Sequence, residues 1–278
     1  MKDKKVFKEN TLKKRICNGE QLFGAWIETG SATNVEILAH LGFDYLLIDL
    51  EHGQGDLSDL IAMLRAAKVA DTPCVVRVPW NDPVYLKRVL DAGADSLMIP
   101  MVENAAEAKA AVRACRYPPE GTRGYAAPAV RASNYGSMKD YMIRANANLL
   151  LILQIETEAA VREAAAIADV DGVDIMFLGV NDMAGSIGRL EQLDHADARA
   201  LVATAETTLK AKGAVLGTVP STGASWQSLF ESGYQFVPVA SDVGLMRDAA
   251  VACIAEQRQF KLKVAAPSSS SKPMAAGY

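Results

Sequence analysis

The chain has 278 residues, half of them hydrophobic and 22 % charged, with a formal net charge of -4. That balance supports a sizeable core, argues against disorder over most of the length, and offers no basic stripe for nucleic acid. No apolar run approaches the ~20 residues of a membrane-spanning helix, the start "MKDKKVFKEN" lacks the apolar segment of a signal peptide, and Cys17, Cys74, Cys115 and Cys253 form no C-x-x-C pair, so the expected setting is a reducing cytoplasm.

Taken in chain order, short β-rich runs alternate with segments of helical period. The strands expected are 22–27 "LFGAWI", 45–50 "YLLIDL", 73–78 "PCVVRV", 96–100 "SLMIP", 149–156 "LLLILQIE", 175–179 "IMFLG", 214–219 "AVLGTV" and 235–240 "QFVPVA". Several are apolar throughout, as strands covered on both faces should be. Between them, "NVEILAHLG", "DLSDLIAMLRAAKVA", "PVYLKRVLDAG" and "AAEAKAAVRAC" repeat apolar residues at three- and four-residue spacing. Glycines in "HLGFD", "DAGAD" and "ESGYQ" mark helix ends before the next strand. Eight βα pairs without a G-x-G-x-x-G after the first strand predict a single-domain (β/α)8 TIM barrel over residues 1–260. Residues 117–148 form an excursion with a short helix near Met138 to Ala145, and its Pro, Gly and Arg content suggests a surface or subunit-contact element. A last helix from Val243 to about Phe260 precedes an aperiodic tail, 261–278, expected to be disordered.

Barrel enzymes build their sites at the C-terminal ends of the strands. There the sequence places Asp49, Glu51 and His52 after the second strand, Arg77 after the third, Gln154 and Glu156 at the fifth, and Asn181 and Asp182 beyond the sixth. Gln154 and Glu156 share a face by the two-residue period. A buried carboxylate needs a partner: Glu156 could pair with Arg77 or a lysine, or converge with Asp182 on an ion that takes oxygen ligands and retains water. Asp182 could equally be a helix cap. His52 is the histidine at the expected rim, since His40 falls in a helix and His195 in a polar stretch. Imidazole suits proton transfer near neutrality, and Asp49, disfavoured inside a strand, could orient it. Alternation puts Glu51 on the opposite side, as a surface or supporting residue. Arg77 offers fixed donors to a carboxylate or a developing oxyanion, or a salt bridge to Asp91 or Glu156. There is no G-x-S-x-G, P-loop or H-E-x-x-H, and no lysine centred in a strand for a Schiff base.

The ordered set "GFDYLLIDLEHG", "VVRVPWNDP", "LDAGADSLMIPMVE", "RYPPEGTRG", "LQIET" and the loop after "FLG" resembles the HpcH/HpaI family of metal-dependent class II pyruvate aldolases, from about Gly24 to Asp248. The resemblance implies Mg, Mn or Co held by Glu156 and Asp182. It further implies Arg77 at the enolate oxygen of pyruvate, His52 oriented by Asp49 at the aldol hydroxyl, and the Gly179 to Asp182 loop, with Asn181, seating the substrate carboxylate. Gln154 and Asp91 match supporting or subunit-boundary positions, and Trp26 a pocket wall. The implied reaction is reversible cleavage of a 4-hydroxy-2-oxo acid to pyruvate and an aldehyde, in a homo-oligomer for which a hexamer is the implied form. One departure stands out: where the family commonly has Gly-Pro-x-Asp-Leu, this chain has Gly179, Val180, Asn181, Asp182 and Met183, keeping the aspartate but losing the proline's fixed φ. Two alternatives remain open at this level, a CoA-thioester lyase of the citrate-lyase-like or malyl-CoA-like kind and a non-catalytic keto-acid-binding barrel.

Overall fold

Residues Tyr45 and Leu47 belong to one buried cluster, and Leu46 and Ile48, which alternate with them, to another. This is what a two-residue period produces when both faces of a strand are covered. The computed structural model, which describes residues 7–221 and 223–265, repeats that alternation in eight parallel strands. They are β1 (Leu22–Ile27), β2 (Tyr45–Asp49), β3 (Cys74–Arg77), β4 (Ser96–Ile99), β5 (Leu150–Ile155), β6 (Ile175–Leu178), β7 (Leu216–Thr218) and β8 (Phe236–Ser241). They close in sequence order into a barrel, β8 pairing back onto β1, so the expected (β/α)8 fold is the observed one.

The helices are α1 (Thr11–Cys17), α2 (Ala32–Ala39), α3 (Leu57–Ala67), α4 (Pro83–Asp91), α5 (Ala105–Cys115), α6 (Tyr141–Asn148), α7 (Glu158–Ala168), α8 (Val180–Ser186), α9 (Ala196–Ala211), α10 (Trp226–Glu231) and α11 (Asp242–Ala265). Short polar side chains start many of them: Ser31, Asp56, Asp82, Asn104 and Thr157 each accept an amide of the first turn, worth about 1 kcal/mol apiece. Gly42 and Gly93 follow α2 and α4 with positive φ of 92° and 101°, the left-handed turn that glycine adopts without strain.

Two cores result. One lies between strands and helices, the other inside the barrel, where Leu22, Tyr45, Leu47, Val75, Met98, Ile152, Phe177 and Phe236 meet. Helix α1, which the periodicity did not reveal, adds Leu12 and Ile16 to the interior core. Its ties run to the starts of the strands: Asn10 Nδ2 donates to Ser96 Oγ at 2.8 Å, Lys13 Nζ to the Leu149 carbonyl at 2.6 Å, and Arg15 Nη2 to Asp44 Oδ1 at 2.8 Å. It therefore closes the N-terminal end of the barrel and leaves the C-terminal end as the mouth. The excursion carries a 3-10 turn at Arg131–Ser133 and α6, three residues later than the periodicity suggested.

The chain divides into two compact units, Met1–Asp242 and Val243–Tyr278. In the second, α11 continues to Ala265, beyond the expected end near Phe260; the tail from 266 onward lies outside the described residues. No helix among the described residues is long and apolar enough to cross a membrane.

Candidate active site

The parity that fills the barrel also builds its mouth. Inward positions run Leu22, Gly24, Trp26 in β1; Tyr45, Leu47, Asp49 in β2; Val75, Arg77 in β3; and Leu150, Ile152, Gln154 in β5. Each series is apolar below, and those of β2, β3 and β5 end on a polar residue at the C-terminal edge. Asp49 and Arg77 are direct neighbours in the β2–β3 register.

Arg77 is held on three sides. Its Nε and Nη2 donate to the two oxygens of Asp49 at 2.8 and 2.6 Å, and its Nη1 lies 3.0 Å from Glu51 Oε2. Trp26 covers the guanidinium, with the ring centroid 4.5 Å from Cζ, and packs edge-on to Phe177. Burial works against the Arg77 charge, but the hydrogen bonds and attraction of Asp49, with Glu51 and Glu156, raise its pKa. A two-toothed arginine–carboxylate pair of this kind fixes direction as well as charge.

Glu156 sits just past β5 and is buried. Its Oε2 accepts the Met101 amide at 3.0 Å, and its Oε1 accepts the amide group of buried Gln154. Met101 reaches this position with φ of 54°, a conformation costly for a non-glycine residue and often kept at functional sites. Gly179 is required on the other side: a Cβ there would lie 2.6 Å from Glu156 Cγ and Oε1. Its amide donates to the Ile155 carbonyl, and Val180, buried and first in α8, starts that helix where the family proline would stand. Asn181 and Asp182 follow in the exposed first turn of α8, and the N-cap is Gly179, so Asp182 is not the helix cap.

Burial pushes the Glu156 carboxyl up to about 7; the Met101 amide and Arg77 pull it down while Glu51 and Asp182 push it further up. Glu51 is also raised to about 7 by burial, with Arg77 opposing and Asp49 and Asp182 adding to the rise. The three carboxylates Glu51, Glu156 and Asp182 thus feel one another around a single guanidinium. The buried Gln154 Oε1 makes no hydrogen bond, while Glu51 Oε2 has its ion pair with Arg77. A negative surplus beside an unused amide oxygen fits a divalent cation. Among the described residues, no three His, Cys, Asp or Glu side chains are grouped closely enough to hold a metal ion between them.

Glu51 is the residue the sequence reading misplaced. β2 ends at Asp49 and the chain bends at Leu50, so strand alternation no longer governs, and the Glu51 carboxylate turns back onto Arg77. The expected orientation of the His52 ring by Asp49 is also corrected. Asp49 Oδ1 accepts the backbone amides of Glu51 and His52 at 3.0 and 3.3 Å, while the imidazole is 73 % exposed with Nε2 4.0 Å from Glu51 Oε2. Asp91 is not brought to the mouth: it ends α4 and pairs with Arg123 of the excursion at 2.7 Å. Met101, by contrast, gave no polar signal in the sequence. Asp242 was also missed; it accepts the amides of Glu28 and Thr29, the Thr29 hydroxyl and the Asn34 side chain, and so pins the loop after β1.

A closed barrel whose mouth gathers carboxylates around one fixed arginine defines the protein as a barrel enzyme. The chain belongs to the HpcH/HpaI aldolase/citrate lyase family, which matches residues 22–249, and is a carbon–carbon lyase. It is 44 % identical over 223 residues to a 2-dehydro-3,6-dideoxy-6-sulfogluconate aldolase of Pseudomonas putida, covering 80 % of this chain and 87 % of that one. It is 41 % identical over 255 residues to a hydroxypyruvate/pyruvate aldolase of Paraburkholderia phytofirmans, covering 90 % and 98 %. The crystal structure of a family protein from Burkholderia cenocepacia superposes with a TM-score of 0.85 at 38 % identity, covering 90 % of this chain and 99 % of that one.

Proposed function

We propose that this chain is a divalent-metal-dependent pyruvate aldolase that reversibly cleaves a 4-hydroxy-2-oxo acid to pyruvate and an aldehyde. The observation that carries the reading is the crowding of Glu156, Asp182 and Glu51 about Arg77 at the mouth. No strand of the barrel contains a lysine, which removes a strand-borne Schiff base as the means of stabilising the enolate. The family membership and the named aldolase relatives support the same class.

Glu156 and Asp182 would hold Mg, Mn or Co, and such an ion supplies Lewis acidity toward the substrate's 2-oxo group. The chain's own residues do the rest. Arg77, fixed by Asp49 and shielded by Trp26, donates to the 2-oxo oxygen as negative charge gathers there. His52 takes the proton of the 4-hydroxyl; the C3–C4 bond breaks, its electron pair becomes the C2–C3 double bond of the enolate, and the aldehyde departs. Protonation at C3 then gives pyruvate. Asp49 positions Arg77 and the His52 backbone, Gln154 holds Glu156, Gly179 leaves room for that carboxylate, and Asn181 faces the substrate carboxylate from the first turn of α8. Exposed Trp80 ahead of α4, Val84 on α4, and Tyr125, Tyr135 and Ile143 of the excursion support assembly into a homo-oligomer, and the four free cysteines support a cytoplasmic setting.

Pyruvate release from 4-hydroxy-2-oxo acids, coupled to lactate dehydrogenase, tests the reading on chelator-stripped protein with and without Mg, Mn or Co. Restored turnover that Glu156→Ala abolishes is the expected result. Turnover indifferent to chelation and to Glu156, or appearing only with CoA thioesters, overturns it.

A further inference from the structure

The loop after β1 is fixed on one side by Asp242 and touches the His52 loop on the other. Asp242 follows β8, whose Ser241 pairs with Trp26 of β1, and it is buried. A carboxylate offers only acceptors. This one receives the Glu28 amide at 2.9 Å, the Thr29 amide at 3.4 Å, the Thr29 hydroxyl, and Asn34 Nδ2 at 3.1 Å. Thr29 Oγ1 in turn accepts Asn34 Nδ2 at 3.0 Å, so the end of β8, the loop and the first turn of α2 are joined in one network. Burial pushes the Asp242 carboxyl up, but the hydrogen bonds from Thr29, Glu28 and Asn34 outweigh it and hold the group below its usual range. The acceptor is therefore ionised at neutral pH.

The Glu28 carbonyl faces the other way and accepts the Gln54 amide at 2.8 Å. Gly30 has φ of 66°, and a Cβ there would lie 2.8 Å from Gly55 Cα. A Cβ on Gly53 would lie 2.2 Å from the Asp49 carbonyl oxygen and 3.1 Å from that of Glu28. The two loops thus meet backbone to backbone, too close for side chains between them. His52 lies between two anchors: Asp49 Oδ1 accepts its amide at 3.3 Å, and Gln54, two residues on, is held by Glu28. Its ring is exposed, and Glu51 Oε2 at 4.0 Å is beyond hydrogen-bond reach. What places the imidazole is the backbone that bears it.

A loop-borne group needs support from outside its loop to hold a reacting geometry, and a displacement of about 1 Å can cost about a hundredfold in rate. We propose that Asp242 is a positioning residue for His52: it fixes segment 28–30, whose backbone in turn sets where the His52 loop stands at the mouth. This rests on the reading of His52 as the acceptor of the 4-hydroxyl proton. Asp242 itself touches no reacting atom. The contacts run from Asp242 to Glu28, from Glu28 to Gln54 and so to His52, and loss of the first is felt at the last. A role confined to starting α11, of which Asp242 is the first residue, would leave the Gln54 amide and His52 unaffected.

Asp242→Asn keeps the shape but turns one acceptor into a donor that faces donors. Hydrogen exchange of the full chain, read at the Gln54 amide, should be about tenfold or more faster in this variant than in the unsubstituted protein. In the coupled assay its kcat for pyruvate release should fall by about tenfold or more with KM unchanged. That loss should vanish when Asp242→Asn is added to His52→Ala. Unchanged exchange at Gln54 overturns the proposal. So do losses that multiply in the double variant, because Asp242 then acts independently of His52. A His52→Ala variant with normal turnover, or an unsubstituted protein without any, defeats the reading of His52 instead, and exchange at Gln54 then decides by itself whether Asp242 holds that loop. If Asp242→Asn fails to fold, Thr29→Val, which removes only the hydroxyl between Asp242 and Asn34, takes its place in both measurements.

Discussion

The two ends of the barrel treat charge in opposite ways. At the N-terminal end, Lys13 meets Asp174, Arg15 meets Asp44 and Glu20, and Arg123 meets Asp91, so that these partly buried charges are matched across elements. At the mouth, Asp49, Glu51, Glu156 and Asp182 crowd around Arg77 with too little positive charge to balance them. Matched charge at one end ties α1 and the excursion to the strands. Surplus charge at the other is unfavourable for the empty fold and favourable for a cation and for chemistry.

The comparison is broken most severely by Glu156→Ala, which should lower pyruvate-forming turnover by about a thousandfold or more while leaving the thermal midpoint unchanged or higher, as measured by the coupled assay and by melting. A lower midpoint would show that Glu156 is a structural group instead.

Next in size, Arg77→Ala strands the buried Asp49 carboxylate and Glu51, and should destabilise the fold by about 3–5 kcal/mol in urea titration. Arg77→Lys keeps the charge and loses the fork, so it should recover part of that stability but little activity.

The pH dependence sharpens the contrast. Glu51 and Glu156 have folded pKa values near 7, above those of the unfolded chain. The folded state therefore holds more protons between about pH 4.5 and 7, and stability falls as pH rises through that window and levels off above it. Chelated protein should lose stability between about pH 5.5 and pH 8 from this pair, and a Glu51→Gln, Glu156→Gln double variant should show a flatter profile by calorimetry. An unchanged slope would mean the two carboxyls titrate normally.

Smallest, Lys13→Ala removes a partly buried ion pair to Asp174 and a bond to the Leu149 carbonyl, which should cost about 1 kcal/mol. Turnover should be unaffected, as befits a residue at the closed end; a loss of kcat would show that α1 communicates with the mouth.

Much of the mouth was legible because strand parity carries it. Asp49, Arg77 and Gln154 interrupt apolar runs at inward positions, with Glu156 just past the end of β5, so their placement needed only the period of two. Legibility stopped where the chain leaves the strand. Glu51 lies one residue beyond a bend, Met101 contributes only an amide, and Asp91 finds a partner 32 residues away in an excursion whose path no local pattern describes. Helix α1 escaped notice because seven residues give too short a period to read.

By itself, then, the sequence determined the number and order of the βα units, the closed parallel barrel they imply, and which inward residues are polar, because alternation and helical period are local and repeat. The tertiary structure decided which end is closed by α1, that Glu51 faces Arg77, that Asp49 holds the His52 amide instead of its ring, and that Asp91 pairs with Arg123 of the excursion. These depend on contacts between residues far apart in the chain, which burial and charge select only once the barrel has brought them together.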